Sequence, residues 1–177
     1  MTRTIRAGLV VGLALTCVSA CAGHAPPQLP AYANRSQTLG ATIESIDPRL
    51  AAALLQLSAV PTAEHHRAVA DEYRRLKILD AAFDHLSAAM RLDPRDAAAY
   101  DARARIWRDW GAPQLGLSDS ARAVFYAPRS ATARNTRGTL LAAAGMKTEA
   151  AREFEIALEI DPSATFARTN LCQLVTC

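Results

Sequence analysis

Charged side chains at helical intervals are the chief chemical feature of this 177-residue chain. Arg67 and Asp71 stand four apart, as do Asp101 and Arg105, the spacing at which opposite charges meet on one helix face. Around them fall Glu64, Arg74, Arg75, Arg108 and Asp109. A guanidinium presents a planar fork of donors that fits a carboxylate or an acidic peptide. The competing reading is a solvated face whose charges pair along their own helix. His65 and His66 could suggest a metal, but adjacent helical positions point about 100° apart and no Cys or carboxylate constellation joins them. No metal site is expected. Cys172 and Cys177 could bridge in an oxidising compartment. Five residues of helix rise about 7.5 Å, beyond a disulfide's usual reach, so a bridge requires the last turn to unwind. No nucleophile elbow, phosphate-cradling glycine loop or metal-ligand spacing is present. The expectation is a chain that is not an enzyme, with no catalytic residues, no cofactor and no small-molecule substrate.

The elements that must position these groups are helices. Half the residues are apolar but only 6% are aromatic, because alanine, the strongest helix former, carries much of the apolar count. Runs of β-branched residues with period-two alternation are missing. The net charge is +3. Without Arg3 and Arg6, in a segment argued below to be removed, 18 basic residues face 17 acidic ones. A charge near +1, with basic residues dispersed among acids, gives no argument for nucleic acid.

The first residues read as a secretory signal. Arg3 and Arg6 precede an uncharged run from Ala7 to Cys17, followed by Val18, Ser19, Ala20 and Cys21. The apolar run is shorter than the roughly 20 residues a membrane span takes. Val18-Ser19-Ala20-Cys21 resembles the bacterial lipobox. That resemblance implies cleavage before Cys21 and acylation of its thiol, and two or more acyl chains give stable anchoring. An ordinary signal peptide with a chance cysteine, or a retained membrane helix, is the alternative. Ala22, where an aspartate retains enterobacterial lipoproteins at the inner membrane, implies the outer membrane, facing the periplasm. Pro26, Pro27 and Pro30 mark the following stretch as a solvated tether.

Pro94, Pro128 and Pro162 lie 34 residues apart, in the phrases RLDPRDA, YAPRSAT and EIDPSAT. At that period three segments align, 63–96, 97–130 and 131–164. Paired small residues recur as Ala70 and Ala82, Ala104 and Gly116, Gly138 and Ala150, with Ala89, Ala123 and Ala157 later in each segment. Large apolar residues recur at Tyr73, Trp107 and Leu141, and at Leu86 and Phe154. His66, Val69, Ala70 and Tyr73 fall at i, i+3, i+4 and i+7, one face of a helix. The pattern resembles the tetratricopeptide repeat (TPR), a helix-turn-helix unit of that length. The expected fold is all-α: a right-handed α-solenoid of three such repeats with a leading helix and a C-terminal capping helix. The boundaries are 1–20 for the signal peptide, 21–46 for the lipidated N-terminus and linker, 47–62 for the leading half-repeat, 63–96, 97–130 and 131–164 for the repeats, and 165–177 for the cap.

The resemblance also implies a site. First helices line the concave face of such solenoids, and the corresponding positions are Glu64, Arg67, Asp71, Arg74, Arg75, Asp101, Arg105, Arg108, Asp109 and Asn135. Chaperone-binding members hold a terminal carboxylate in a lysine/asparagine clamp. Asp71, Ala102 and Thr136 stand at clamp positions, so that activity is not expected. Lys77 replaces the usual turn glycine, which recurs as Gly111 and Gly145. Arg103 and Arg137 fall where leucine is preferred, Ser120 where an aromatic is, and Pro113 lies in a turn. These departures are expected to loosen the packing. Trp107 reads as core and Trp110 as the better candidate for a partner contact. The implied function is a membrane-anchored interaction scaffold of the bacterial cell envelope, accessory to pilus or secretion, outer-membrane or cell-wall machinery. Its partner would be a protein or peptide. The alternative is a structural or regulatory subunit that stabilises an envelope complex without peptide-groove binding.

Overall fold

The computed structural model describes residues 47–175, within one compact unit. The expected signal segment, Cys21, the expected linker and Cys177 lie outside the described residues. Eight helices follow one another: α1 (Pro48–Ala59), α2 (Ala63–Arg75), α3 (Leu79–Leu92), α4 (Ala97–Asp109), α5 (Pro113–Tyr126), α6 (Ala131–Ala143), α7 (Lys147–Ile160) and α8 (Thr165–Val175). No strand occurs among the described residues, and none of these helices is long and apolar enough to cross a membrane.

Helix starts and stops follow from local chemistry at the 34-residue period. Thr62, Asp96 and Ser130 are N-caps of α2, α4 and α6, and their side-chain oxygens accept from the backbone N–H of His65, Ala99 and Ala133. Each satisfies a donor that a helix start leaves open. Asp47 does the same for α1, accepting from Arg49 and Leu50. Pro48 and Pro113 open α1 and α5, where the missing N–H costs nothing. Asp93 and Asp161 end α3 and α7 in extended backbone before Pro94 and Pro162, a conformation that proline imposes on its predecessor.

The turn inside each repeat is a left-handed cap. Lys77, Gly111 and Gly145 have φ of 63°, 74° and 85°. In each turn the next residue's N–H reaches back five positions, as Ile78 does to Tyr73 at 2.9 Å, the Schellman arrangement. Lysine holds this conformation against its own Cβ, a cost of about 1–2 kcal/mol. Lys77→Gly is therefore expected to raise stability by about 0.5–1 kcal/mol after glycine's greater unfolded-state entropy is subtracted. Urea denaturation would show a higher midpoint at unchanged slope.

The expected small residues are the core's contact points. Ala70, Ala82, Ala104, Ala150, Ala89, Ala123 and Ala157 are fully buried. Gly116 lies against Ala104 and Trp107, and Gly138 against the ring of buried Phe154. Each helix packs on the next, α4 also meets α6, and α6 meets α8. The stacked hairpins form an α-helical solenoid.

Two departures from the repeat pattern do the opposite of loosening it. Arg103 donates to both carboxylate oxygens of Asp119 at 2.7 and 2.9 Å and to Ser87 at 3.1 Å. Its guanidinium also lies 5.2 Å from the Phe83 ring centroid. Arg137 pairs with Glu153 at 3.0 Å, and Arg134 reaches the other Glu153 oxygen at 3.0 Å. The pairs 103–119 and 137–153 are thus one device, repeated 34 residues apart. At the matching places in the first repeat stand Val69 and His85. His85 there stacks on Tyr73 and lies 3.0 Å, nitrogen to nitrogen, from His66. Burial, then the charge of Arg91, pushes the His66 imidazole below its ordinary pKa. Ser120 is fully buried and donates to the Leu117 carbonyl at 2.9 Å. Trp107 is half-buried rather than core, in edge contact with Phe83 and Trp110.

Candidate functional site

Successive first helices, α4 with α6 and α6 with α8, meet one another, while the second helices α3, α5 and α7 do not pack closely on each other. The array therefore curves toward α2, α4, α6 and α8, which line its inner side. The sequence-derived wall residues sit on these helices, and the fold divides them into three groups.

The first group gathers at the C-terminal ends of α2 and α4. Asp71, Arg74, Arg75 and Asp109, with Lys77, surround a shallow depression of about 330 Å³. Arg74 donates to Asp71 at 3.1 Å, and Arg108 donates to Asp109 at 2.8 Å. The Arg74 Nε is buried and has no partner.

The second group runs across the middle of the wall. Asp101 is 8% exposed despite its charge. One of its oxygens accepts from Arg105, four residues on, and the other is buried with no hydrogen-bond partner. Arg105 reaches from α4 to Thr136 on α6 at 3.2 Å. Asn135 on α6 accepts from Asn170 on α8 at 2.8 Å. Asn170 was not legible as a wall residue, although it lies 35 residues after Asn135, close to one repeat.

The third group is committed to the fold. Arg67 does not pair with Asp71 as its spacing suggested. It donates instead to the N-cap carboxylate of Asp96, at 2.7 Å. Asp96 is nearly buried and offers a fixed acceptor, whereas the Asp71 side chain is 62% exposed. Arg75 donates to Asp47 at 2.6 Å and Glu72 at 2.7 Å. The Arg75 hydrogen bond, then the Leu50 N–H, holds the Asp47 carboxyl below its ordinary pKa. Glu64 is exposed at the start of α2.

The remaining candidates lie apart from the wall. His65 contacts the Val60 carbonyl at 2.6 Å. No group of three His, Cys, Asp or Glu side chains among the described residues is placed to hold a metal ion. Cys172 is half-buried on α8 with a free thiol. Its candidate partner Cys177 lies outside the described residues. Trp110 is 37% exposed and closes an aromatic cluster with Phe83 and Trp107.

No family model matches the chain, and no curated protein matches it. Solved structures do. The first TPR of Spaghetti (RPAP3), bound to the HSP90 peptide SRMEEVD, is 22% identical with a TM-score of 0.63, covering 66% of this chain and 92% of that one. The Arabidopsis OM64 TPR domain is 22% identical at 0.63, covering 66% and 96%. The crystal structure of MamA is 19% identical at 0.65, covering 81% and 82%. Together with the paired helices and the 34-residue period, these likenesses make the fold that of tetratricopeptide-repeat domains.

Proposed function

We propose that this chain is a lipid-anchored interaction scaffold of the bacterial cell envelope, acylated at Cys21 and held at the outer membrane facing the periplasm. Its inner wall captures a protein or peptide of a larger assembly, such as pilus or secretion, outer-membrane or cell-wall machinery. The observation that carries the reading is Arg74 Nε and Asp101 Oδ1, two of the four unsatisfied buried side-chain atoms among the described residues, all on inner helices. The other two, Arg134 Nε and Arg137 Nε, belong to side chains already held by Glu153. Buried polar groups are nearly always hydrogen-bonded. A donor on α2 and an acceptor on α4 suit an incoming peptide, which brings both kinds of group. A solved TPR neighbour holds a peptide, which is the same use of a similar fold. The chemistry here differs from a carboxylate clamp, since Asp71 and Ala102 place a negative and an apolar group in the wall.

A second reading has its own support. Arg67 and Arg75 are spent on the helix caps Asp96 and Asp47, which is what a purely structural subunit requires. Crosslinking in cells separates the two readings. A photo-crosslinking residue at Thr139, on the inner helix α6, should capture a defined partner. Arg74→Ala with Asp101→Asn should lower that capture at least about tenfold, equivalent to about 1.4 kcal/mol. Unchanged capture by a folded double variant rejects the groove-reading role. Cys21→Ser should move the protein from the membrane fraction to the soluble one, and its retention in the membrane fraction would reject the anchor.

A further inference from the structure

The rim where the second helices end carries a feature unrelated to the inner wall. Phe125 is 77% exposed, Leu92 54% and Tyr126 37%. Leu92 and Tyr126 occupy the same place in successive repeats, and the rim between them is continuous. Tyr126 stacks on Tyr100 at 5.9 Å, and the Tyr100 hydroxyl donates to the Pro94 carbonyl at 3.4 Å. Phe125 meets Tyr126 edge-on at 5.2 Å. Beside them a shallow depression of about 420 Å³ is lined by Ala127, Pro128, Arg129 and Ser130.

This apolar strip is set among cations. Arg91, Arg95 and Arg129 are exposed, and none of their guanidiniums makes a hydrogen bond or ion pair within the described residues. Arg122, also exposed, lies 5.5 Å over the Tyr100 ring. In the stretches 91–95 and 122–129 the one acid is Asp93, and an oxygen of it is already held by the Arg95 N–H. The pattern stops at the third repeat, where Glu159 and Asp161 occupy the corresponding rim.

We propose that this rim is a docking surface for an anionic lipid bilayer. Charge complementarity selects the occupant: three exposed guanidiniums without carboxylate partners face headgroup phosphates, while Phe125 and Leu92 enter the boundary between headgroups and acyl chains. Tyr126 supplies the ring with a polar end that settles at the interface. The geometry is a row of helix ends and turns, not a groove, so it suits a broad surface better than an extended peptide. The proposal rests on the anchored reading above, which brings the domain to the membrane. The 26 residues from 21 to 46 allow a reach of up to roughly 90 Å, so the tether permits contact without imposing it.

The full chain is mixed with vesicles of phosphatidylethanolamine and phosphatidylglycerol and carries a benzophenone side chain in place of Phe125. Lipid adducts at position 125 are the expected result. They should fall about tenfold or more in Arg95→Glu/Arg129→Glu, from the known pull of surface-bound arginines, and similarly with phosphatidylcholine vesicles. The same probe at Leu55, which is 72% exposed but on α1, whose one charged residue is Arg49, should give few adducts. Equal labelling at 55 and 125, insensitivity to charge reversal, or adducts only with protein would overturn the docking surface. The Arg95 and Arg129 guanidiniums make no hydrogen bond or ion pair among the described residues, and Leu92→Ser, at a side chain 54% exposed, offers a second loss of adducts at position 125 that does not depend on charge. Fractionation of Cys21→Ser in the Arg95→Glu/Arg129→Glu background, where the rim no longer holds the membrane, reports on the anchor alone. An anchor failure therefore shows there, while a failed rim shows only in the position-125 adducts.

Discussion

Arg103→Leu is expected to destabilise the fold by about 3 kcal/mol, even though leucine is the residue that repeats of this kind prefer at that place. The reason is the partner left behind. The Asp119 side chain is 4% exposed, and both its oxygens are satisfied by Arg103 alone. Removing one member of a buried pair leaves an uncompensated charge, a loss of about 3–5 kcal/mol. Arg103 retains 21% exposure, so water relieves part of the penalty and the lower end of that range applies. Arg103→Leu/Asp119→Leu should recover most of the stability, because two apolar residues of similar bulk are frequently as good as the ion pair they replace. Chemical denaturation of the two single variants and the double gives the coupling directly. Near-additive losses would mean that Arg103 contributes by stacking on Phe83 rather than through Asp119.

Gly138→Ala should cost about 2–3 kcal/mol, among the largest effects available from a single methyl group. A Cβ at this position would stand 2.5 Å from one ring carbon of Phe154 and 2.7 Å from a second. Phe154 is 1% exposed, so the ring has no open space to move into, and overpacking typically costs about 1–3 kcal/mol. Replacing the ring tests the cause. Phe154→Leu alone should be destabilising through the cavity it leaves. Gly138→Ala added to it should cost well under half of what it costs in the parent chain, because the obstruction has gone. Thermal midpoints of the four proteins close the cycle. A methyl group that costs the same in both backgrounds would place the strain in the backbone instead.

What could be read in the residues and what could not divides along sequence separation. Pro94, Pro128 and Pro162 act on their own neighbours, as do the caps Thr62, Asp96 and Ser130, so helix ends and the repeat were visible without a structure. The small residues at 70, 82, 104, 116, 138 and 150 gave the hairpin contacts for the same reason. Arg103 was read as a fault because its partner lies on the following helix, 16 residues on. A signal was nonetheless present. Arginine at 103 and 137 is matched by an acid at 119 and 153, and Val69 by His85. Three repeats in one chain thus carry a small covariation of their own. Arg67 was assigned to the nearest acid along its helix, whereas burial favoured Asp96, 29 residues away. The wall was legible as a set of positions. Which of its side chains stay available could not be read, because that depends on long-range acceptors such as Asp96 and Asp47.

The three side-chain links along the inner wall also set how the array bends. Arg67 to Asp96 ties α2 to the start of α4, Arg105 to Thr136 ties α4 to α6, and Asn135 to Asn170 ties α6 to α8. Only the first joins two opposite full charges across neighbouring repeats, with the Arg67 side chain 33% exposed, so only that seam is softened appreciably by ionic strength. A solenoid built from nearest-neighbour contacts bends at its weakest seam. Its elasticity therefore responds unevenly to salt: the first seam, which the apolar core also holds, loses the ion-pair part of its stiffness as ionic strength rises. The spacing between α2 and α4, and with it the width of the Arg74 depression, then depends on the surrounding electrolyte while the two later seams keep their shape.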